Sequence, residues 1–238
     1  MLARTASVAF ALFLIAGVPF LSLDTIRRPE IRLAPRSLIY LSAVFSQWVL
    51  TLICGALVIW RPASLIVSGL RLCPANVFLK WTLLVALAGI GSLLVVILAE
   101  ERGWWPRETE ITHLLMPESK REKLMALSLV APTAGICEEF LYRGFLLSEF
   151  YRWCHSLWGA LVLSSIVFAL AHLYQGRLGA LRVGFLGALL AWPAVVTGSL
   201  YPSMTAHFLI DAAALLWLGP RFLKANPREP DLAGGPEV

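Results

Sequence analysis

Residues 135–147 read GICEEFLYRGFLL and place two adjacent glutamates and an arginine inside an otherwise apolar run. An ionised side chain near the middle of a membrane-spanning helix costs roughly 3 kcal/mol, whereas each Leu, Ile, Phe or Val returns about 0.5 kcal/mol. The surrounding window, residues 124–147, contains ten such apolar residues, so the three charges cost roughly 9 kcal/mol against about 5 kcal/mol gained. We therefore expect these charges to be paired or to face a water-filled cavity, and we treat them as functional candidates.

The composition of the whole chain indicates a membrane protein. Of its 238 residues, 58% are hydrophobic and 15% are charged, and the mean hydropathy is +0.75, which is far more apolar than a soluble domain of this size. The basic residues behind the net charge of +5 cluster in short loops between apolar runs, a pattern that indicates membrane topology and no binding of nucleic acid. Arginine outnumbers lysine 16 to 4, a bias typical of high-GC bacterial genomes, so we expect a bacterial inner membrane.

Seven windows of the sequence approach the length of about 20 apolar residues that a helix needs to cross the hydrocarbon core. They are residues 6–23, 38–60, 81–99, 124–147, 157–173, 181–200 and 204–218. The predicted fold is therefore all-α, a polytopic membrane helical bundle of about seven transmembrane helices. The first window is not followed by a clean small-x-small cleavage site, so we expect a retained helix rather than a signal peptide.

The basic residues divide unevenly between the two sides of such a bundle. Fourteen fall on one side and five on the other, and Arg143 lies within a span. The positive-inside rule then predicts an N-terminus outside the cell and a C-terminus in the cytoplasm. This orientation depends on the count of seven spans, since one missed helix would reverse everything downstream.

Helical spacing separates the roles of the three charges in the fourth window. Glu139 and Arg143 are four residues apart and share one helical face, so they can pair and offset each other's loss of hydration. Glu138 is turned by about 100° and has no local partner, which makes it a candidate general base. The alternative is that all three residues form a structural polar cluster.

Two later windows carry further polar residues on apolar helices. The stretch SSIVFALAHLYQG places His172 four residues after Phe168, and TGSLYPSMTAHFLIDAAALLW places His207 and Asp211 four residues apart on one face. A lone membrane histidine usually packs or forms a structural hydrogen bond, but together with an unpaired glutamate these residue types can activate water and stabilise an oxyanion. The histidines at 113 and 155 lie in predicted loops and receive no role.

Depth in the membrane allows some of these residues to meet. If the fourth and fifth helices form a hairpin near Cys154, Glu138 and His172 lie at a similar level, roughly 25 Å from the turn at 1.5 Å per residue. His207 follows the short GSLYP turn closely, and counting places it nearer the opposite surface. It reaches the same level if the sixth helix is short or tilted, or if the YQGRLGALR connection dips into the bundle.

These three blocks resemble the CPBP intramembrane protease family, also called the Abi or type II CAAX prenyl endopeptidase family. The family pattern is EExxxR, then FxxxH, then HxxxN or HxxxD on successive helices. Here the blocks are Glu138 to Arg143, Phe168 to His172, and His207 to Asp211. The resemblance implies a protease core at residues 115–218, preceded by three transmembrane helices and an interfacial connection at residues 1–114. A flexible cytoplasmic tail would follow at residues 219–238.

The resemblance also implies roles for the site residues. Glu138 would activate the attacking water, His172 would help hold it, and His207 with Asp211 would stabilise the oxyanion. Glu139 and Arg143 would support the site by shaping its first helix. No cofactor is expected, although a zinc-dependent mechanism stays open, and zinc would then recruit Glu138, His172 and His207 as ligands.

The leading hypothesis is an intramembrane endopeptidase that hydrolyses a peptide bond with a glutamate-activated water. Its partners would be the lipid bilayer and a membrane-associated peptide or protein substrate that is membrane-anchored or bears a leader or tail. The alternatives are a non-catalytic membrane scaffold or immunity factor of the same fold, a zinc metalloprotease that uses the same residues, and a proton-coupled transporter.

Overall fold

A computed structural model describes residues 2–60, 69–105 and 110–218, and every regular element in these ranges is a helix. The predicted tail at residues 219–238 lies outside the described residues, as does part of the predicted interfacial connection. In chain order the helices are α1 (Leu2–Arg27), α2 (Glu30–Leu33), α3 (Arg36–Trp60), α4 (Ala75–Glu101), α5 (Glu110–Leu115), α6 (Lys120–Cys154), α7 (Leu157–Ala171), α8 (Leu173–Thr197) and α9 (Tyr201–Ala213, continuing as a π-helix over Ala214–Leu218).

Five of these helices, α1, α3, α4, α6 and α8, are long and apolar enough to cross a membrane. This indicates a multi-pass integral membrane protein, and the all-α prediction is confirmed for the described residues. The fifth and seventh predicted spans are helices too, but α7 has 15 residues and the α-helical part of α9 has 13. The count of seven crossings, and the orientation derived from it, therefore stay predictions.

The long helices are apolar on their outer faces as well as on their buried faces. On α3, Phe45 is 72% and Leu52 is 68% exposed, and on α4, Leu87 is 68% and Val95 is 66% exposed. Apolar surface of this extent is unfavourable in water and favourable in lipid. The composition of these helices thus reflects the solvent on their outside as much as the packing on their inside.

Helix α6 carries the charged block and has recognisable start and end signals. It begins after a capping box, in which the Ser119 hydroxyl accepts from the Glu122 amide while the Glu122 carboxylate accepts from the Ser119 amide. Its last residue is Cys154, and the positive φ of 52° at the next residue, His155, turns the chain towards α7. The predicted hairpin near Cys154 is confirmed, and within it the Ser164 hydroxyl donates to the Tyr142 carbonyl at 2.8 Å.

Much of α6 is π-helical, including the stretch Ala134–Leu146 that contains the charged block. A π-helix has hydrogen bonds between residues i and i+5, and such stretches occur frequently at functional sites. Most side chains of this stretch are buried, the main exception being Ile136, which is 41% exposed. The charged block therefore lies inside the bundle, which is what its insertion cost requires.

The turn between α8 and α9 lies inside the bundle. This position accounts for much of the difference in depth that residue counting predicts between His207 and the pair Glu138 and His172. Ser199 is fully buried and Leu200 is 2% exposed, and the Leu200 amide donates to the Gly69 carbonyl at 2.7 Å. Gly187 on α8 packs against Phe168, which lies about one helical turn before His172 on α7. Although Gly187 follows His172 by fifteen residues in the sequence, the two therefore differ by only about one turn in their position along the bundle. Helix α9 therefore starts close to the site rather than at the far surface.

The end of α5 and the segment that follows it are attached to the start of α3. The Tyr40 hydroxyl donates to the Leu115 carbonyl at 2.8 Å. Arg36 donates to the Leu114 carbonyl at 3.0 Å and pairs with Glu118 at 2.7 Å. These contacts hold α5 and the residues after it across one side of the bundle, beside the cavity described next.

Candidate active site

A cavity of about 280 Å³ lies between α3, α6, α7, α8 and α9. The four side chains predicted to be catalytic all line it: Glu138, His172, His207 and Asp211. Much of the remaining lining is apolar, contributed by residues such as Ala134, Leu186 and Ile210. The structure therefore brings together residues from three sequence blocks, while their catalytic roles stay predictions.

Glu138 is held by residues of other helices rather than by its own. Its Oε1 accepts a hydrogen bond of 2.8 Å from Gln47 Nε2 on α3, and its Oε2 lies 3.8 Å from His207 Nε2 on α9. The side chain is 13% exposed. The expectation that Glu138 has no partner on its own helix agrees with these contacts, and its carboxylate is open to the cavity.

Glu139 and Arg143 form the predicted ion pair, with Arg143 Nη1 and Glu139 Oε1 2.9 Å apart and both side chains fully buried. Arg143 Nη2 also donates to the Gly187 carbonyl on α8 at 3.0 Å, and the guanidinium lies 4.1 Å from the centroid of the Phe168 ring. Two further atoms of the pair, Glu139 Oε2 and Arg143 Nε, are buried and have no hydrogen-bond partner among the described residues. Arg143 thus ties α6 to α7 and α8 behind the cavity.

His207 is oriented by Glu139 and not by Asp211, which differs from the expected partnership. Its Nδ1 donates to Glu139 Oε1 at 2.8 Å, whereas its Nε2 lies 3.7 Å from Asp211 Oδ2, beyond hydrogen-bond distance. Glu139 Oε1 therefore accepts from both Arg143 and His207. With Nδ1 engaged, the Nε2 edge of His207 is the one directed towards Glu138 and Asp211.

His172 is fixed by the carbonyl four residues before it. Helix α7 ends at Ala171, and His172 Nδ1 donates to the Phe168 carbonyl at 2.8 Å. A carbonyl oxygen can only accept, so this bond places the proton on Nδ1 and leaves the Nε2 lone pair of a neutral ring free to accept. The FxxxH spacing thus sets the tautomer of the histidine as well as its position.

Sequence reasoning did not predict several polar side chains that also line the cavity, namely Gln47, Thr112, Tyr174, Gln175 and Arg182. A signal was present for Gln47, which is a lone amide within the apolar run that forms α3. Thr112, Tyr174 and Gln175 lie near helix ends, where polar residues are ordinary and indicate no site. Arg182 lies further inside α8.

Residues 120–213 match the family model described as "Type II CAAX prenyl endopeptidase Rce1-like". This segment is similar to the type II CAAX prenyl endopeptidase family. No curated protein and no solved structure matches the chain. The match to the CAAX prenyl endopeptidase family suggests intramembrane protease activity, and it agrees with the resemblance found in the three sequence blocks.

The CAAX prenyl endopeptidase segment contains every charged or histidine residue of the three blocks, from Glu138 to Asp211. It does not contain Gln47 or Tyr40, which line the same cavity from α3. The lining of the cavity therefore extends beyond the matched segment of the sequence and includes residues of α3.

The zinc-dependent alternative depends on how the possible ligands are grouped. Across residues 2–60, 69–105 and 110–218, no three His, Cys, Asp or Glu side chains are grouped so that they could hold one. The zinc set considered above would need Glu138, His172 and His207 to converge, and the bond of His207 Nδ1 to Glu139 leaves Nε2 as the nitrogen that could bind a metal.

Proposed function

We propose that this protein is an intramembrane endopeptidase that hydrolyses a peptide bond with a water activated by Glu138. The observation that carries the proposal is the meeting of one carboxylate, Glu138, with two histidines, His172 and His207, at a single cavity inside a membrane protein. Hydrolysis in a bilayer needs such a cavity because water must reach the bond. The family match of residues 120–213 supports the same reaction class.

In the proposed first step, the water donates to the Glu138 carboxylate and to the Nε2 lone pair of His172. Glu138 takes a proton as the water oxygen attacks the carbonyl carbon of the substrate. The carbonyl π bond opens and its electron pair moves to the oxygen. This gives a tetrahedral intermediate with a new C–O bond and a protonated Glu138.

His207 is the proposed stabiliser of the oxyanion. Its Nδ1 donates to Glu139, and a ring protonated at both nitrogens presents a second donor, Nε2–H, at the cavity. A preorganised donor of this kind contributes roughly 3 kcal/mol to the stability of the transition state. The intermediate then collapses as the C–N bond breaks, and the proton held by Glu138 passes to the leaving amine.

The apolar part of the cavity wall favours a substrate with an apolar side chain next to the cleaved bond, such as a membrane-anchored peptide or one with a lipid-modified tail. Ala134 lies one turn before Glu138 on α6, and Leu186 and Ile210 face the same cavity from α8 and α9. Burial of an apolar side chain there contributes roughly 25 cal/mol per Å².

The test uses the full-length protein in lipid nanodiscs with internally quenched peptides, both farnesylated and unmodified, in apolar sequence contexts. We expect the wild type to cleave at least one class and Glu138→Gln to lose cleavage while it stays folded. The matched control is Glu149→Gln, because Glu149 is a buried glutamate of the same helix that pairs with Arg152 and does not line the cavity. This variant should cleave like the wild type.

Three results would contradict the proposal. Cleavage by Glu138→Gln would remove the assigned base. If the wild type cleaves no peptide, and cells that carry Glu138→Gln keep the phenotype of cells that carry the wild type, the scaffold or immunity factor is favoured. Loss of cleavage after treatment with a chelator, restored by zinc, would favour the metalloprotease.

A further inference from the structure

Gln47 is the residue that anchors Glu138 from outside the matched segment. Its Nε2 donates to Glu138 Oε1 at 2.8 Å, and within the described ranges no other side chain hydrogen-bonds that carboxylate. A carboxylate can only accept, so the nitrogen of the amide must face Glu138 and its oxygen must face away. Gln47 therefore determines which oxygen of Glu138 remains directed towards His207, where Oε2 lies 3.8 Å from Nε2.

The side-chain amide of Gln47 contributes little to the stability of the folded protein. Gln47 Oε1 is buried and has no hydrogen-bond partner among the described residues. A buried acceptor without a partner lowers stability, so the Gln47 oxygen offsets part of what the hydrogen bond donated by its nitrogen contributes. A polar residue that gains little in the fold and holds a reacting group is typical of a functional site.

The neighbouring residue shows what a structural contact between the same two helices looks like. Trp48 Nε1 donates to Thr133 Oγ1 at 3.1 Å, so it also links α3 to α6. Thr133 does not line the cavity, and in the described part of the chain the side chains of Trp48 and Thr133 form no hydrogen bond with the Glu138 carboxylate. Adjacent positions on one helix thus make the same kind of bond, one to the candidate base and one to an ordinary hydroxyl.

We propose that Gln47 is a positioning residue for Glu138, so that the catalytic unit comprises α3 as well as residues 120–213. This proposal rests on the proposed function, since it presumes that Glu138 is the base. Gln47 acts by holding one carboxylate oxygen in place, which leaves the other free to take the proton of the attacking water. The N-terminal helices then contribute to the chemistry as well as to membrane insertion.

The experiment compares Gln47→Met with Trp48→Phe in nanodiscs, with a quenched peptide that the wild type cleaves. Met has the length of Gln without its donor, so we expect kcat to fall about ten- to a hundredfold, the range for losing a hydrogen bond to a charged group. KM should stay within a factor of two, and the melting temperature should change little, because the Glu138 carboxylate is open to the cavity. Trp48→Phe should show the reverse, with a lower melting temperature and an unchanged kcat.

A second measurement does not depend on a substrate. In infrared spectra of the protein in lipid, the carboxyl stretching band that disappears in Glu138→Gln should shift in Gln47→Met and stay in place in Trp48→Phe. An unmoved band, or a normal kcat in Gln47→Met, would overturn the positioning role. If Glu138→Gln is inactive while Gln47→Met is fully active, this inference fails and the proposed function stands; if Glu138→Gln is active, both fail.

Discussion

Glu139 and His207 are 68 positions apart in the sequence and share a hydrogen bond of 2.8 Å. The same carboxylate oxygen accepts from Arg143 at 2.9 Å. A single buried atom therefore joins the ion pair of α6 to the histidine of α9. The position of His207 in the cavity thus depends on the ion pair behind it.

Replacing Glu139 with glutamine should destabilise the protein by about 3 kcal/mol or more, because it leaves the buried Arg143 charge without its counterion. The control is Glu118→Gln, whose pair with Arg36 is at the surface and should cost about 1 kcal/mol or less. Thermal unfolding in detergent, followed by tryptophan fluorescence, measures both. Equal shifts for the two variants would contradict the role assigned to the buried pair.

Asp211→Asn should slow cleavage by no more than about fivefold. Asp211 Oδ2 is 3.7 Å from His207 Nε2 and makes no direct bond to it, so the neutral amide removes about 1 kcal/mol or less, roughly fivefold in rate. The amide can also donate to an oxyanion. Initial rates of peptide cleavage test this, with Asp211→Leu as the variant expected to lose at least tenfold. An inactive Asp211→Asn variant would show that cleavage requires the negative charge of Asp211.

Gly187→Ala should destabilise the protein by about 1–3 kcal/mol, the usual range for overpacking. A Cβ at this position would lie 3.0 Å from a ring carbon of Phe168 and 3.1 Å from Arg143 Nη2. Gly55→Ala on α3 is the matched control, because nothing lies within 4 Å of its Cβ, and it should gain about 0.5–1 kcal/mol. A neutral Gly187→Ala would mean that Phe168 and Arg143 have room to move.

Tyr40→Phe should loosen α5 without unfolding the bundle. The variant removes the donor that binds the Leu115 carbonyl, at a cost of about 1 kcal/mol. Amide hydrogen exchange at residues 110–116 should become faster, while exchange in α6 should not change. Ser42→Ala on the same helix, which loses a bond within its own helix, should leave residues 110–116 as they are. Faster exchange throughout Tyr40→Phe would indicate global destabilisation.

The contacts that were predictable from the sequence are those set by helix geometry. Glu139 and Arg143 pair because residues four apart share a face, and this holds in any helical segment. The level shared by Glu138 and His172 followed from the rise per residue and from one turn at His155. The all-helical class followed from hydropathy, since backbone polar groups in lipid must be satisfied within helices or closed barrels.

The contacts that could not be predicted depend on how helices rotate and shift against one another. The bond from Gln47 to Glu138 and that from His207 to Glu139 each join two separate helices, and hydropathy does not specify which faces meet. Counting residues also misplaced His207, because it took the turn before α9 to lie at a membrane surface. Ser199 and Leu200 in that turn are buried, and Leu200 makes a tertiary contact with Gly69, which no local pattern encodes.

The buried turn between α8 and α9 affects how the sidedness of this protein should be mapped. A labelling reagent added from either compartment will fail to reach a cysteine introduced at Ser199, because the position is fully covered by protein. A bulky reporter inserted there would separate Leu200 from Gly69 and perturb the bundle. Reporters for topology therefore belong in the turn between α6 and α7, where Cys154 is naturally exposed.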